Sequence, residues 1–392
     1  MIKLLLGESM LNPKSAGASL AILALAVSTT VAADLRERVV SSPVSVISAS
    51  DFPVAVSVLD TESMSRNGIT SLADLIPGQV APLKVQPSPL NASNLYLTIR
   101  GIGGINADQP ARDPNVGVYL DGVYLARSQG LGFDIIDAER IEILRGPQGV
   151  LYGRNTLGGA VNIVSKKPSG ELDFSQQFTL GGEYNEFKSI THLDLPRWAG
   201  FSTKLSYLAN QHDGWVDNLD QNDLPERNDF WAKDNEGLRL AINWSGLENL
   251  VLDYSYEDNS TRSTQAFFQD GDKFQSRATE SFYLPESEID IDAHTLTAQY
   301  TINDRLAVRS ISAVRDIEEL SFFNFGEQST LARGDRQEQD QLSQELQLVG
   351  SFLDNVFDFV VGALYFEEDI EIDNSRLGTN NPDGFPIENA TI

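Results

Sequence analysis

A chain of 392 residues, 41% hydrophobic and 22% charged, has room for two or more folded domains and is too apolar to be disordered throughout. Its formal charge of -27 excludes a nucleic-acid surface, because phosphate binding requires clustered Lys and Arg. With no cysteine, it has no disulfide, thiolate metal site or cysteine nucleophile.

Lys3 and Lys14 precede an apolar run from Ala16 to Val27, followed by small residues ending Val31-Ala32-Ala33. This is the order of an export signal, and the run is shorter than the ~20 residues a spanning helix needs. Residues 1–33 are therefore assigned to a signal peptide cleaved after Ala33. Residues 34–50 are poor in aromatics and show no helical period.

From Val54 the pattern is that of a small α+β unit. Val54, Val56 and Val58 alternate as a strand, Asp60 caps a short helix ending at Asn67-Gly68, and Ser71 with Asp74 makes a capping box. Leu95, Leu97 and Ile99 alternate with Tyr96 and Thr98, which predicts a strand with one apolar and one polar face. Asp121-Gly122 separates Val116 to Leu120 from Val123 to Leu125 and supplies the positive φ angles of a type I′ hairpin. Asp134 is placed to cap a short turn of helix through Ile135, Ile136 and Ala138. Ile141 and Ile143 then alternate with Glu142 as a strand that Gly146-Pro147 stops. Glycines from Gly149 to Gly159 predict tight loops before a last strand, Ala160 to Ser165. Residues 51–168 read as one domain.

Beyond Pro168, segments of 10 to 15 residues alternate in hydrophobicity. Leu238, Leu240, Ile242 and Trp244 oppose Arg239, Ala241 and Asn243; Leu250, Leu252, Tyr254 and Tyr256 form a second such face, and Phe357, Phe359, Val361, Ala363 and Tyr365 a third. Tight turns at Glu248-Asn249, Asp304-Arg305 and Leu353-Asp354-Asn355 alternate with long polar loops at Gly214 to Asn235, Thr261 to Ser287 and Ser321 to Asp335. Short turns on one rim and long loops on the other are the signature of an outer-membrane barrel, and a soluble sandwich does not explain that asymmetry. Residues 169–392 hold about nine strand candidates. Two unpaired edges in hydrocarbon would each leave backbone groups unsatisfied, so these predict an incomplete barrel and an N-terminal part of a longer protein.

Several apparent chemical motifs are set aside. Gly101-Ile102-Gly103 begins like a dinucleotide loop, but Asn106 stands where the third glycine belongs. Counting from Asp220, Leu224 and Pro225 fall where a calcium loop needs an oxygen ligand and a glycine. His192, His212 and His294 lack the spacing of a helical metal pair. No catalytic residue, metal site or cofactor is predicted.

The stretch Asp113 to Pro168, with LYLTIRGIGG at Leu95 to Gly104, resembles the plug domain of TonB-dependent outer-membrane receptors. Arg100-Gly101, Asp121-Gly122-Val123, Ile141-Glu142-Ile143-Leu144-Arg145-Gly146-Pro147 and Leu151-Tyr152-Gly153 occur in that family's order and approximate spacing. The resemblance implies an α+β plug followed by antiparallel transmembrane β-barrel strands in a Gram-negative outer membrane. Its partners would be TonB in the periplasm, outer-membrane lipid, and a siderophore or other nutrient ligand. It implies a TonB-contact strand in residues 34–50, for which Glu37, Arg38, Val39 and Val40 are the nearest candidates. It further implies a plug–barrel lock in which Arg100 and Arg145 meet barrel glutamates, with Glu345 as a candidate partner. Apical plug loops at Ile105 to Asp113 and Ala126 to Gly130 would face the ligand through Asn106, Arg112, Arg127 and Gln129. The two arginines would meet an anionic or chelated ligand, or else pair with acidic residues of the lumen. The competing class is a secreted β-rich protein that binds or hydrolyses carbohydrate.

Overall fold

The computed structural model describes residues 55–373 except 76–79, 82, 89–90, 104–108, 150–151, 219–228, 266–277, 280–283, 285, 325–331 and 353–356. The signal segment, the TonB-contact candidates Glu37, Arg38, Val39 and Val40, Asn106 and the turn expected at Leu353 to Asn355 lie outside the described residues.

Local sequence rules account for the start of the first unit. β1 (Ala55–Asp60) enters α1 (Thr61–Asn67), whose N-terminus Asp60 caps by accepting from the Ser63 N–H at 2.8 Å and whose end Gly68 closes at φ 65°. The capping box of Ser71 and Asp74 is present on a single 3-10 turn, Leu72–Asp74. β2 (Leu83–Pro87), β3 (Leu95–Ile99) and β4 (Ile102–Gly103) form a three-stranded sheet. β5 (Val116–Leu120), β6 (Val123–Leu125), β7 (Ala138–Arg145) and β8 (Gly159–Ser165) join β1 in the order β1-β7-β8-β5-β6. The hairpin between β5 and β6 turns on Asp121 at φ 52° and Gly122 at φ 92°, as its sequence requires. Leu72, Leu95, Ile99, Ile141, Ile143 and Val161 are the centre of the core.

β3 keeps its polar face, on which Thr98 is half-buried and Tyr96 is buried with its hydroxyl donating to Ser88 Oγ at 2.9 Å. One expectation fails here. Asp134 caps no helix; it forms an isolated bridge with Ser71, and Asp137 at φ 63° turns the chain directly into β7. Tertiary partners claim the Asp134 carboxylate, so the local capping propensity is overridden.

The second unit is a nine-stranded meander. Its strands are β9 (Asp173–Gly181), β10 (Glu186–Trp198), β11 (Phe201–His212), β13 (Lys233–Leu247), β14 (Leu250–Thr264), β16 (Glu286–Asn303), β17 (Leu306–Asn324), β18 (Ala332–Phe352) and β19 (Phe357–Asp373). A short parallel pair, β12 (Asp217–Asn218) with β15 (Ala278–Thr279), ties two of the long connections together. Tight turns fall at 199–200, 248–249 and 304–305, and the opposite rim carries the long connections. β17 and β18 run into the loop expected at Ser321 to Asp335, because the ladder bonds are made by the backbone and do not require apolar alternation.

Burial along the wall is the inverse of that in a soluble sheet. On β11, Ser202, Lys204, Ser206 and Asn210 point inward and are buried, whereas Phe201, Leu205 and Tyr207 point outward and are exposed. An apolar exterior over a polar interior is what a strand between lipid and a filled lumen requires. The first unit lies on the concave side, where Ile136 and Phe133 approach Gly237 and Ile291. The sheet is open, with β9 and β19 as its edges.

Candidate functional site

The concave face is organised around one carboxylate. Asp134 is 4% exposed and reaches three wall strands. Its Oδ1 lies 2.5 Å from Lys188 Nζ of β10 and accepts from Thr70 Oγ1 at 2.9 Å. Its Oδ2 accepts from Asn210 of β11 at 2.9 Å, from Asn235 of β13 at 2.9 Å and from Lys233 at 3.2 Å. Burial alone would raise its pKa, but Lys233, Lys188 and these hydrogen bonds outweigh it and hold the carboxyl well below the usual carboxylate range.

Similar pairs recur across the interface. Lys204 Nζ sits 2.6 Å from Asp137 and 3.5 Å from Asp194. Arg239 donates to Asp121 at 3.0 Å and to Glu257 at 2.9 Å, tying the β5–β6 turn to β13 and β14. Glu319 of β17 accepts from Asn91 and Asn94 at 3.0 and 2.9 Å. Arg127 makes a two-point contact with Glu368 of β19, both bonds 2.7 Å, and also donates to the Arg112 carbonyl at 3.1 Å. Tyr119, Tyr124 and Tyr152 pack as a ring cluster that Phe366 of β19 joins, with the Tyr124 and Phe366 centroids 5.9 Å apart.

The rim with the long connections carries a second cluster. Trp215 stacks on His212 at 5.0 Å with an interplanar angle of 13°, meets Trp231 at 6.1 Å and takes the edge of Tyr184 at 6.1 Å. His212 is paired in register with Lys233, whose ammonium lies on Asp134, so the rings stand directly above the Asp134 centre.

The first unit thus meets the inner face of the antiparallel wall through many polar pairs, joined by apolar contacts of Phe133 with Ile289, Ile291 and Ile317 and of Val123 with Ile311 and Ala313. Residues 48–160 match the family model described as TonB-dependent Receptor Plug Domain. The first unit is a TonB-dependent receptor plug domain. A pesticin receptor of Yersinia enterocolitica is 31% identical over 131 residues, covering 33% of this chain and 19% of that protein. A ferrioxamine B receptor of Salmonella typhimurium is 31% identical over 144 residues, covering 34% of this chain and 17% of that protein. The crystal structure of a ferric yersiniabactin uptake receptor from Yersinia pestis superposes with a TM-score of 0.75 at 22% identity, over 84% of this chain and 51% of that one. The chain thus spans about half the length of that solved receptor. Its fold is plug plus barrel wall, and its place is the Gram-negative outer membrane.

The sequence-predicted residues of this receptor are distributed as follows. Arg127 is taken by Glu368, the pairing with an acidic lumen residue that was its alternative reading. Arg112 is exposed at the plug apex and lends its carbonyl to Arg127, and Gln129 is buried. Arg145 donates to the Ala55 carbonyl at 3.3 Å, the Ala81 carbonyl at 3.1 Å and Ser57 Oγ at 2.8 Å, all within the plug. Arg100 is exposed at φ 51° beside Gly146. Glu345 points into the lumen and accepts from Gln347 at 2.6 Å; the structure does not bring it to either arginine. Asp134, Asp137, Lys188, Lys204 and Glu368 were missed as interface residues. The available signal was polar residues at lumen positions of apolar-alternating strands, as at Lys204 between Thr203 and Leu205.

Proposed function

We propose that this chain forms the plug and first wall strands of an importer that carries a siderophore or another large nutrient across the outer membrane. The observation that carries this reading is the nature of the plug–wall interface. It is held by ion pairs and amide hydrogen bonds around Asp134, Asp137 and Arg127, groups that water can solvate when the plug moves. The apolar contacts set among them, Phe133 with Ile289, Ile291 and Ile317 and Val123 with Ile311 and Ala313, involve few residues each.

In this reading the ligand binds between the long connections and the plug apex. The pull enters through residues 34–50, where Glu37, Arg38, Val39 and Val40 add a strand to TonB. Arg100 and Arg145 act as the plug side of a lock whose carboxylate partners come from the wall. The wall is completed by strands beyond these nine, since edges left in hydrocarbon cost several kcal/mol per unsatisfied backbone group. The reading involves no covalent chemistry on the ligand.

The test is growth on a panel of ferric siderophores as sole iron source, in cells with and without TonB. Uptake that requires both the receptor and TonB is the expected result. Recovery of the protein in the soluble periplasmic or secreted fraction, or uptake indifferent to TonB, would remove the importer reading.

A further inference from the structure

Along β10, β11 and β13 the charges of the interface are sorted by origin. The plug supplies the carboxylates Asp121, Asp134 and Asp137, and the wall supplies the cations Lys188, Lys204, Lys233 and Arg239. Lys204 and Arg239 each keep a carboxylate of the wall itself, Asp194 at 3.5 Å and Glu257 at 2.9 Å. Lys188 and Lys233 have no ion-pair partner but Asp134 among the described residues. Withdrawal of Asp134 with the plug therefore leaves two wall ammonium groups facing the lumen without a counter-ion.

The donors around that carboxylate belong to the wall and are arranged by its ladder. Lys188 pairs in register with Asn210, and Asn210 with Asn235, so three donors stand side by side on adjacent strands about 4.8 Å apart. With Lys233 of β13 they converge on Asp134 at 2.5 to 3.2 Å. Backbone pairing between the strands fixes their spacing without the plug, which preorganises them for a carboxylate. Asp134 does not exhaust this set of groups. Asn210 Oδ1 and Asn235 Oδ1 are buried without a hydrogen-bond partner among the described residues, and an aspartate, which only accepts, cannot satisfy them.

We propose that Lys188, Asn210, Asn235 and Lys233 form a carboxylate-binding site of the wall, occupied at rest by Asp134 and taken over by a carboxylate of the imported ligand when the plug moves. This rests on the importer reading and narrows its substrate class to chelates with a free carboxylate. An N–H donor beside that carboxylate would meet the two orphaned amide oxygens, an advantage over the aspartate it replaces. Lys233 opens β13 at the rim that carries the long connections, so the site lies on the side from which the ligand arrives.

The carboxyl group removed from Asp134 is itself the probe. Isotope-labelled formate, with neutral isosteric formamide as its control, is titrated by NMR into the full chain in non-ionic detergent, as wild type and as Asp134→Ala. Formate is expected to bind Asp134→Ala saturably and at least about tenfold more tightly than it binds wild type or than formamide binds the variant. Adding Lys233→Gln removes that binding, with circular dichroism confirming the fold of each variant. In cells, the chelates that support TonB-dependent growth are expected to carry a free carboxylate. Asp134→Asn with Lys188→Gln and Lys233→Gln keeps amides at the plug contact but no charge, and should lower their uptake at least about tenfold at an unchanged level of receptor in the outer membrane. Equal formate binding by wild type and a folded Asp134→Ala, or formamide binding as tight as formate, would overturn the site. So would growth confined to chelates without a carboxylate, or undiminished uptake by the triple variant. A panel that supports no TonB-dependent growth would instead remove the importer reading and leave the formate result in place.

Discussion

Asp134 Oδ1 of the plug and Lys188 Nζ of β10 lie 2.5 Å apart, joining residues 54 positions distant in sequence. Removing one member strands the other charges of the centre. Asp134→Ala should weaken plug docking by about 3–5 kcal/mol, since Lys188 and Lys233 lose their counter-ion. Asp134→Ala with Lys188→Met should cost less than the sum of the two single changes. Hydrogen exchange of α1 and β5 in the four proteins of the cycle measures this.

The same centre fixes a pH dependence. Its folded pKa is depressed, so its stabilisation is fully present above the unfolded value of ~3.9 and drains away as pH falls below it. Acidification from pH 7 to about 4.5 should therefore leave the plug docked, and Asp134→Asn should flatten the loss seen at lower pH. Tryptophan accessibility to a neutral quencher across that range follows the transition.

Gly237 of β13 allows the closest approach of plug and wall near Ile136. A Cβ there would stand 2.5 Å from Ile136 Cδ1 and 2.6 Å from Asn259 Oδ1. Gly237→Val should destabilise the docked state by about 1–3 kcal/mol through overpacking, with Ile136→Ala restoring part of the loss. Thermal unfolding of the single and double variants in detergent checks the compensation.

Arg127 and Glu368 share two parallel bonds in a nearly dry setting, the Arg127 side chain 5% exposed. Arg127→Ala should raise exchange at β6 and at residues 109–112 by about two orders of magnitude, equivalent to ~3 kcal/mol. A change smaller than twofold would mean that the plug apex is held by other contacts.

Neighbouring positions on β11 should respond oppositely to charge. Leu205, 40% exposed on the outer face, is expected to cost about 2–4 kcal/mol of bilayer stability as Leu205→Arg. Ser206→Ala on the inner face removes only the contact with His192 Nδ1 at 2.9 Å and should cost about 1 kcal/mol. Urea titration of protein refolded into lipid vesicles separates the two.

The chain's own sequence determined what depends on residues close to one another. Asp60 and Gly68 mark both ends of α1, Asp121-Gly122 makes its hairpin, and alternation at Leu238 to Trp244 reveals a wall strand, because caps, turns and two-residue periods are set within a few positions. The wording around Arg100 and Ile141 to Pro147 likewise disclosed the plug. Which charges meet was decided only by tertiary structure. Asp134 presents the local signature of a helix cap, yet its partners lie 54, 76, 99 and 101 positions away, at distances fixed by how the wall curves around the plug. Arg127 is bound to Glu368 across 241 positions for the same reason. An ion pair carries no periodicity along the chain: its energy depends on separation in space and on the water excluded around it, and both arise only when the two units dock.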